Sequence, residues 1–342
     1  MTTRNGIETA LLGKTPDKTK LTFYSWMAND LFSDEWKKLY DLGLGICHHC
    51  RVVKEIEHGT EFKTKEVLEN GNIYTYVTKK TPIGSVRLVK KNGWVVEHWI
   101  KTPQDYKIWT WISQNTELVP DYDSFERAEE LVGNLGVAVI LASRTPLMQI
   151  NVDLCGTELF CLDLALDCQE LLELYEARKK LFIAETNLIA KGPGQFINWL
   201  ENLTVSMIGP THYSNYLMPM YRQCVPTLEK TGKRVMVHYD GALKAISDQI
   251  AAAPFHMIES LTEPPEGDMM YSDCRAAWPD KVFWANINVA CYDLPEEQLA
   301  EQVIQKRQRA GKKGLVFAIS EELPKNWRTS IPIVLKTLND LP

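Results

Sequence analysis

From residue 120 onward, short and almost wholly apolar runs alternate with longer amphipathic stretches. The runs are VAVILAS (137–143), GQFINWLEN (194–202), RVMVHYD (234–240), HMIES (256–260), KVFWANI (281–287) and GLVFAIS (314–320). Strands apolar on both faces, separated by helices, predict a parallel sheet covered on each side. The stretch 295–310 (PEEQLAEQVIQKRQRA) reads as one such helix. Proline opens it, acids fill its first turn, bases its last, and Gly311 follows. A second long helix is predicted over 167–189. Residues 21–27 (LTFYSWM) add a β-rich run near the start, after a short helix candidate.

Residues 50–100 follow another rhythm. TEFKTKEVL, NIYTYVTKK, GSVRLVKK and GWVVEHWI alternate apolar and polar positions, with Asn-Gly and Pro-Ile-Gly turns between them. Period-two alternation broken by such turns predicts antiparallel hairpins with one face in water. The expected architecture is therefore a single (β/α)8 TIM barrel over 1–342, with an antiparallel β-meander inserted at 50–100. The residue pattern leaves one barrel strand to be found, and it is placed near 146–162. A doubly wound open sheet is the alternative, but no Gly-rich phosphate fingerprint follows any strand.

Composition narrows the function. At 45% hydrophobic and 24% charged, the chain is ordinary globular protein. A net charge of −6 disfavours a general nucleic-acid or anionic-membrane binder. No apolar run reaches about 18 residues, and the first residues lack a signal-peptide core, so a cytosolic protein without a membrane span is expected. Its eight irregularly spaced cysteines then read as thiols. Cys47-His48-His49-Cys50 lacks a second ligand pair and reads as ordinary thiols and surface histidines. A homodimer is left open.

In a barrel the chemistry sits at the strand C-terminal ends. Those positions hold Tyr24 and Trp26, Arg144, Glu201 and Asn202, His238 and Asp240, Glu259 with Glu263 after it, Asn286 and Asn288, and Glu321 and Glu322. His238-Tyr239-Asp240 is the sharpest signal. Alternate residues of an extended segment share a face, so imidazole and carboxylate can approach one metal ion. Glu259 and Glu321 can complete such a set, with Cys291 in reserve. The bland alternative is a capped strand end in which Asp240 bonds loop backbone.

The same residues carry a resemblance. RNGIETALLGKTPDK, VMVHYDGALKAISDQIAAAPFHMIESLTEPPEGDM, KVFWANINV and FAISEELPKNW resemble the uroporphyrinogen decarboxylase superfamily, over nearly the whole chain. Uroporphyrinogen decarboxylase itself places an Arg-containing motif where this chain reads TFYSWMAND. The chain is more similar to the zinc-dependent, corrinoid-linked methyltransferases, above all the first methyltransferase of O-demethylase systems. Thiol-directed relatives bind zinc through His-x-Cys and a later Cys, where this chain has Asp240 and Ser320-Glu321. Oxygen ligands suit an oxygen substrate.

That resemblance implies a zinc enzyme that cleaves a methyl ether of a small methoxylated aromatic. The methyl group would pass to cobalt(I) of a corrinoid (cobalamin) carried by a partner protein. His238, Glu259 and Glu321 are the first choice of zinc ligands, with Asp240 as a fourth ligand or as the group that orients His238. Glu201 and Asn202 would position substrate or donate a proton, with Asp240 the third candidate catalytic group. Tyr24, Trp26, Arg144 and Asn286 would bind substrate. Rival readings are a methylcobalamin-to-thiol or tetrahydrofolate methyltransferase, a metal-free glycoside hydrolase using Glu201 and Glu259, and a non-catalytic docking subunit.

Overall fold

The computed structural model describes residues 2–342. Its strands, in chain order, begin with β1 (Lys20–Tyr24), β2 (Gly45–Cys50), β3 (Val53–Glu57), β4 (Glu61–Glu69) and β5 (Asn72–Thr81). There follow β6 (Gly84–Lys91), β7 (Trp94–Glu97), β8 (Thr116–Pro120), β9 (Gly136–Ala142) and β10 (Phe196–Trp199). The last four are β11 (Arg234–His238), β12 (Met257–Leu261), β13 (Val282–Asn286) and β14 (Leu315–Ala318). The chain divides into two compact units.

One unit gathers the residues up to Val52, 121–142 and 190–342. It contains a closed parallel barrel in the order β1-β14-β13-β12-β11-β10-β9-β2. This is the (β/α)8 fold the apolar runs predict. The eighth strand is β2, GICHHC, and not the 146–162 region, which is helical (Pro146–Gln149, Ile150–Cys155, Thr157–Ala165). Its two histidines disguise the strand. Cys47 points into the core and His49 is largely enclosed, so the surface reading of this tetrad is corrected.

Inward residues fill the barrel in layers. At the strand N-terminal ends, Ile7, Ala10 and Leu11 of the helix Thr3–Leu11 pack with Val137, Phe196 and Val282. Two hydrogen bonds fix that plug. Arg234 Nε donates to the Leu11 carbonyl at 3.1 Å, and the Gly314 amide donates to the Lys14 carbonyl at 3.0 Å. Met236, Met257, Trp284 and Val316 form the packing above. Removing such a fully enclosed side chain costs about 2–5 kcal/mol, so the closed end is where stability resides and the open end is free for chemistry.

Outside the barrel, the helix Glu296–Ala310 runs as its sequence demands, with Glu296 and Glu297 in the first turn and Arg307 and Arg309 in the last. Gly311 ends it at φ 75°, where a side chain would be strained.

The second unit holds residues 53–120 and 143–189. The meander expected over 50–100 is here a four-stranded antiparallel sheet, β4-β5-β6-β7, beside a separate β3-β8 ladder. Val77, Val86 and Leu88 bury one face of the larger sheet on the side of the helix Pro103–Gln114. There the tip of Ile108 abuts Gly84, whose φ of 144° would be strained for any other residue. Most of the helix Gln169–Lys191 belongs to this unit. Among the described residues, no helix is long and apolar enough to cross a membrane.

Candidate metal centre at the barrel mouth

His238 ends β11, and its ring is almost wholly buried. Its Nδ1 lies 2.6 Å from Glu259 Oε2, on the neighbouring strand β12. Glu259 is held from two further sides. The Tyr24 hydroxyl donates to its other oxygen, and Asn198 Nδ2 donates to Oε2 at 3.1 Å. The imidazole is thereby pinned through Nδ1, which leaves Nε2 as its working atom.

Nε2 is buried and makes no hydrogen bond. It sits 3.5 Å from Asp240 Oδ2 and 3.4 Å from Glu321 Oε1. Zinc bonds of about 2.0–2.2 Å at tetrahedral angles require neighbouring donor atoms roughly 3.3–3.6 Å apart. The spacings from His238 match that requirement. The three donor atoms all lie within 4.8 Å of one another. One nitrogen and two oxygens form a donor set zinc accepts, and three ligands leave a position open. The residues present therefore fit the metal.

Asp240 and Glu321 are themselves oriented. Asn202 Nδ2 reaches Asp240 Oδ2 at 3.4 Å from a left-handed backbone position (φ 48°). The Ser260 hydroxyl donates to Glu321 Oε1, and Asn286 Nδ2 donates to Ser260 Oγ at 2.7 Å. Ser260 has φ 64° and lies where the β12–β13 register shifts. A bulge at that point turns a fully buried hydroxyl toward the mouth, a local cost placed beside a site.

Charge follows this geometry. Burial alone would lower the His238 pKa, but Glu259, Asp240 and Glu321 outweigh it and raise it well above the ordinary imidazole value. Burial would likewise raise Glu259, yet His238 and Tyr24 hold its carboxyl down at about 2. His49, largely enclosed near these groups, is pushed down to about 4 by burial and is a neutral imidazole at pH 7. The ring of Tyr24 lies 5.4 Å from it.

Trp26 sits in a short 3-10 turn (Ser25–Met27) just past β1. It stacks on Tyr24 with centroids 5.7 Å apart and an interplanar angle of 6°, while remaining 63% exposed. A flat indole face is thus presented next to the residue that holds Glu259.

Other residues chosen from the sequence lie elsewhere. Glu201 is fully buried and accepts from the Tyr221 hydroxyl at 3.1 Å, within a cluster continued by Tyr239 and Tyr213. Arg144 belongs to the second unit, where it pairs with Asp153 at 3.7 Å. Glu263 is bound by Lys306 at 3.0 Å and Arg309 at 2.6 Å. Cys291 lies in the turn Val289–Asp293, and Glu322 is exposed; neither joins the His238 set. Asn198 and Ser260 carry no motif signal, because a lone Asn or Ser in a strand usually serves packing or pairing.

Comparison with known proteins gives the fold. No family model matches the chain, and no curated protein does. The solved structure of a methyltransferase from Methanosarcina mazei matches with a TM-score of 0.59 at 10% identity, over 99% of each chain. This chain has that fold. A B12-independent methionine synthase from Shewanella sp. W3-18-1 matches at 0.42 and 10% identity, over 89% of this chain and 84% of that one. The pneumococcal virulence factor StrH, described for N-glycan recognition and hydrolysis, matches at 0.41 and 10% identity, over 97% and 84%.

Proposed function

We propose that the protein is a methyltransferase that cleaves a methyl ether, with zinc held by His238, Asp240 and Glu321. The carrying observation is the buried Nε2 of His238, which makes no hydrogen bond and is set between two carboxylates at zinc-ligand spacing. The fold shared with a methyltransferase along its whole length is consistent with this reading. So is the sequence likeness to corrinoid-linked enzymes. The methyl acceptor in the proposal is cobalt(I) of a corrinoid on a separate protein, and the donor is a methoxylated aromatic.

A phenolate leaves poorly unless its growing charge is neutralised. Zinc in this set supplies that neutralisation as a Lewis acid. The chain's own residues do the rest. Glu259 fixes the His238 tautomer, with Tyr24 and Asn198 holding Glu259 in turn. Ser260 and Asn286 aim Glu321, and Asn202 aims Asp240. Trp26 offers its indole face to the aromatic ring of the donor. Glu201 anchors a tyrosine cluster in this reading and does not act on substrate.

That assignment weakens the hydrolase alternative. A glycosidase needs two carboxyl groups free to face one sugar, and Glu259 is committed to three partners. Thiol and tetrahydrofolate acceptors share the fold and are separated by assay. Purified protein is loaded with zinc and mixed with reduced corrinoid protein and a panel of methoxybenzenes, while methylcobalt absorbance is followed. Methylation that requires both zinc and the ether is expected. Zinc-independent turnover, or binding of the corrinoid protein without turnover, would overturn the proposal.

A further inference from the structure

The β4–β7 sheet has a second face, opposite Val77, Val86 and Leu88, on which Val89 is buried while the outer strands and the β6–β7 turn stand in solvent. Cross-strand register sets out its rows. Lys63 pairs with Thr78 and Thr78 with Arg87; Lys65 pairs with Tyr76; Val67 pairs with Tyr74, Tyr74 with Lys91 and Lys91 with Trp94. Side chains directly opposite in a sheet share a face, so cations and aromatic rings interleave on one surface. Lys63, Lys65 and Arg87 are exposed, and Trp94 is 79% exposed. Residues 61–101 carry eight Lys and Arg against four Glu in a chain whose net charge is −6. The chain as a whole is acidic, so this concentration of positive charge is local.

We propose that this face is the docking surface for an acidic protein. Trp, Tyr and Arg are the residues from which interface hot spots are built, and a cationic surround selects and steers an anionic partner. Nucleic acid fits less well. Arg87 already covers the Tyr76 ring at 5.8 Å and Lys91 the Tyr74 ring at 5.9 Å, so bases find those stacking faces taken. Glu97 is paired with Arg87 at 3.0 Å and Lys101 at 2.8 Å, so the charge this face offers a partner is chiefly that of its lysines. A second copy docking through the same face would set lysine against lysine. Naming the acidic protein as the corrinoid carrier rests on the function proposed above; the docking surface does not.

The test uses the full chain and fluorescent polyglutamate of about 20 residues, a length that can lie across strands of this size. Binding that weakens with added salt is expected. Lys63→Glu/Lys65→Glu/Lys91→Glu should weaken it by at least about tenfold, and the matching Gln triple by about threefold, since rim charges set such contacts. The Gln triple keeps the question decidable if charge reversal unfolds the edge strand. Both triples should match wild type in methyl transfer to free cobalamin, which needs no docking. Loss of all methyl transfer in wild type, with polyglutamate binding intact, would sink the proposed function and leave the surface standing. Equal binding by wild type and both triples, no binding at all, or equal binding of oligothymidine would overturn the surface.

Discussion

Glu259 Oε2 and His238 Nδ1 stand 2.6 Å apart on adjacent strands, and this contact decides which face of the imidazole is available. Tyr24 and Asn198 bind the same carboxylate from two other sides. The consequence is a division of labour. Glu259 orients the histidine, while Asp240 and Glu321 meet its free nitrogen.

Glu259→Gln is therefore expected to leave zinc bound but loosened. Partners that orient a metal-bound histidine are worth about 10–100-fold in metal affinity. Competition with a chromogenic chelator reads this directly. Affinity equal to wild type would show that His238 keeps its orientation without the carboxylate.

Changes at the three donor atoms should act more severely. His238→Ala, Asp240→Asn and Glu321→Gln are each expected to lower zinc content from about one per chain to a small fraction, because a three-ligand site cannot lose a donor cheaply. Removing zinc from wild type should abolish methyl transfer in the same way. The fold should survive, since barrel stability lies in its packed layers. Metal analysis beside a thermal melt separates the two effects. Full zinc content in all three variants would refute the ligand set.

The barrel was legible because a strand buried on both faces has almost no choice but to be apolar. Seven of its strands announce themselves in this way. β2 does not, because its inward and mouth-facing positions are Cys47 and His49, residue types that read as surface or metal chemistry when their neighbours are unseen. The His238–Asp240 pair was legible from strand periodicity. The partition between Glu259 and Asp240 was not, since both carboxylates lie beside one ring and only the ring's rotation assigns them. Ser260 was invisible for a different reason. Its part depends on a bulge and a positive φ, and nothing in HMIESL signals either.

A separate buried carboxylate, Glu263, adds to the acid sensitivity that Glu259 also carries. Burial alone would raise the Glu263 pKa, but Arg309, the Tyr271 amide and Lys306 hold it below the ordinary value. A carboxyl depressed in the folded state contributes stability above its unfolded pKa of about 4.3. That contribution disappears as pH falls through the lower folded value. Urea midpoints should thus be steady near neutrality and drop steeply below about pH 4. Glu263→Gln should flatten this acid-side slope and cost about 3 kcal/mol at pH 7, because Lys306 would remain buried without its counter-charge. An unchanged slope in the variant would assign acid sensitivity to other carboxyls.

The most exposed element of the proposed site gives the sharpest test of substrate class. Trp26 stacks on Tyr24 yet keeps 63% of its surface in water. Truncating so exposed a ring removes little buried area, so Trp26→Ala should change stability by less than about 1 kcal/mol. It touches none of the three donor atoms, and zinc affinity should stay at the wild-type value. What it removes is a flat apolar wall, and an offset-stacked aromatic pair is worth about 0.5–1.5 kcal/mol beyond area burial. KM for methoxybenzenes should therefore rise by roughly two- to thirteenfold, with a smaller change for an aliphatic methyl ether. Trp26→Phe keeps a stacking face and should recover most of the loss. Steady-state kinetics on paired aromatic and aliphatic donors measures this split. Equal losses on both donors, or a loss that Phe fails to restore, would place the aromatic pocket elsewhere.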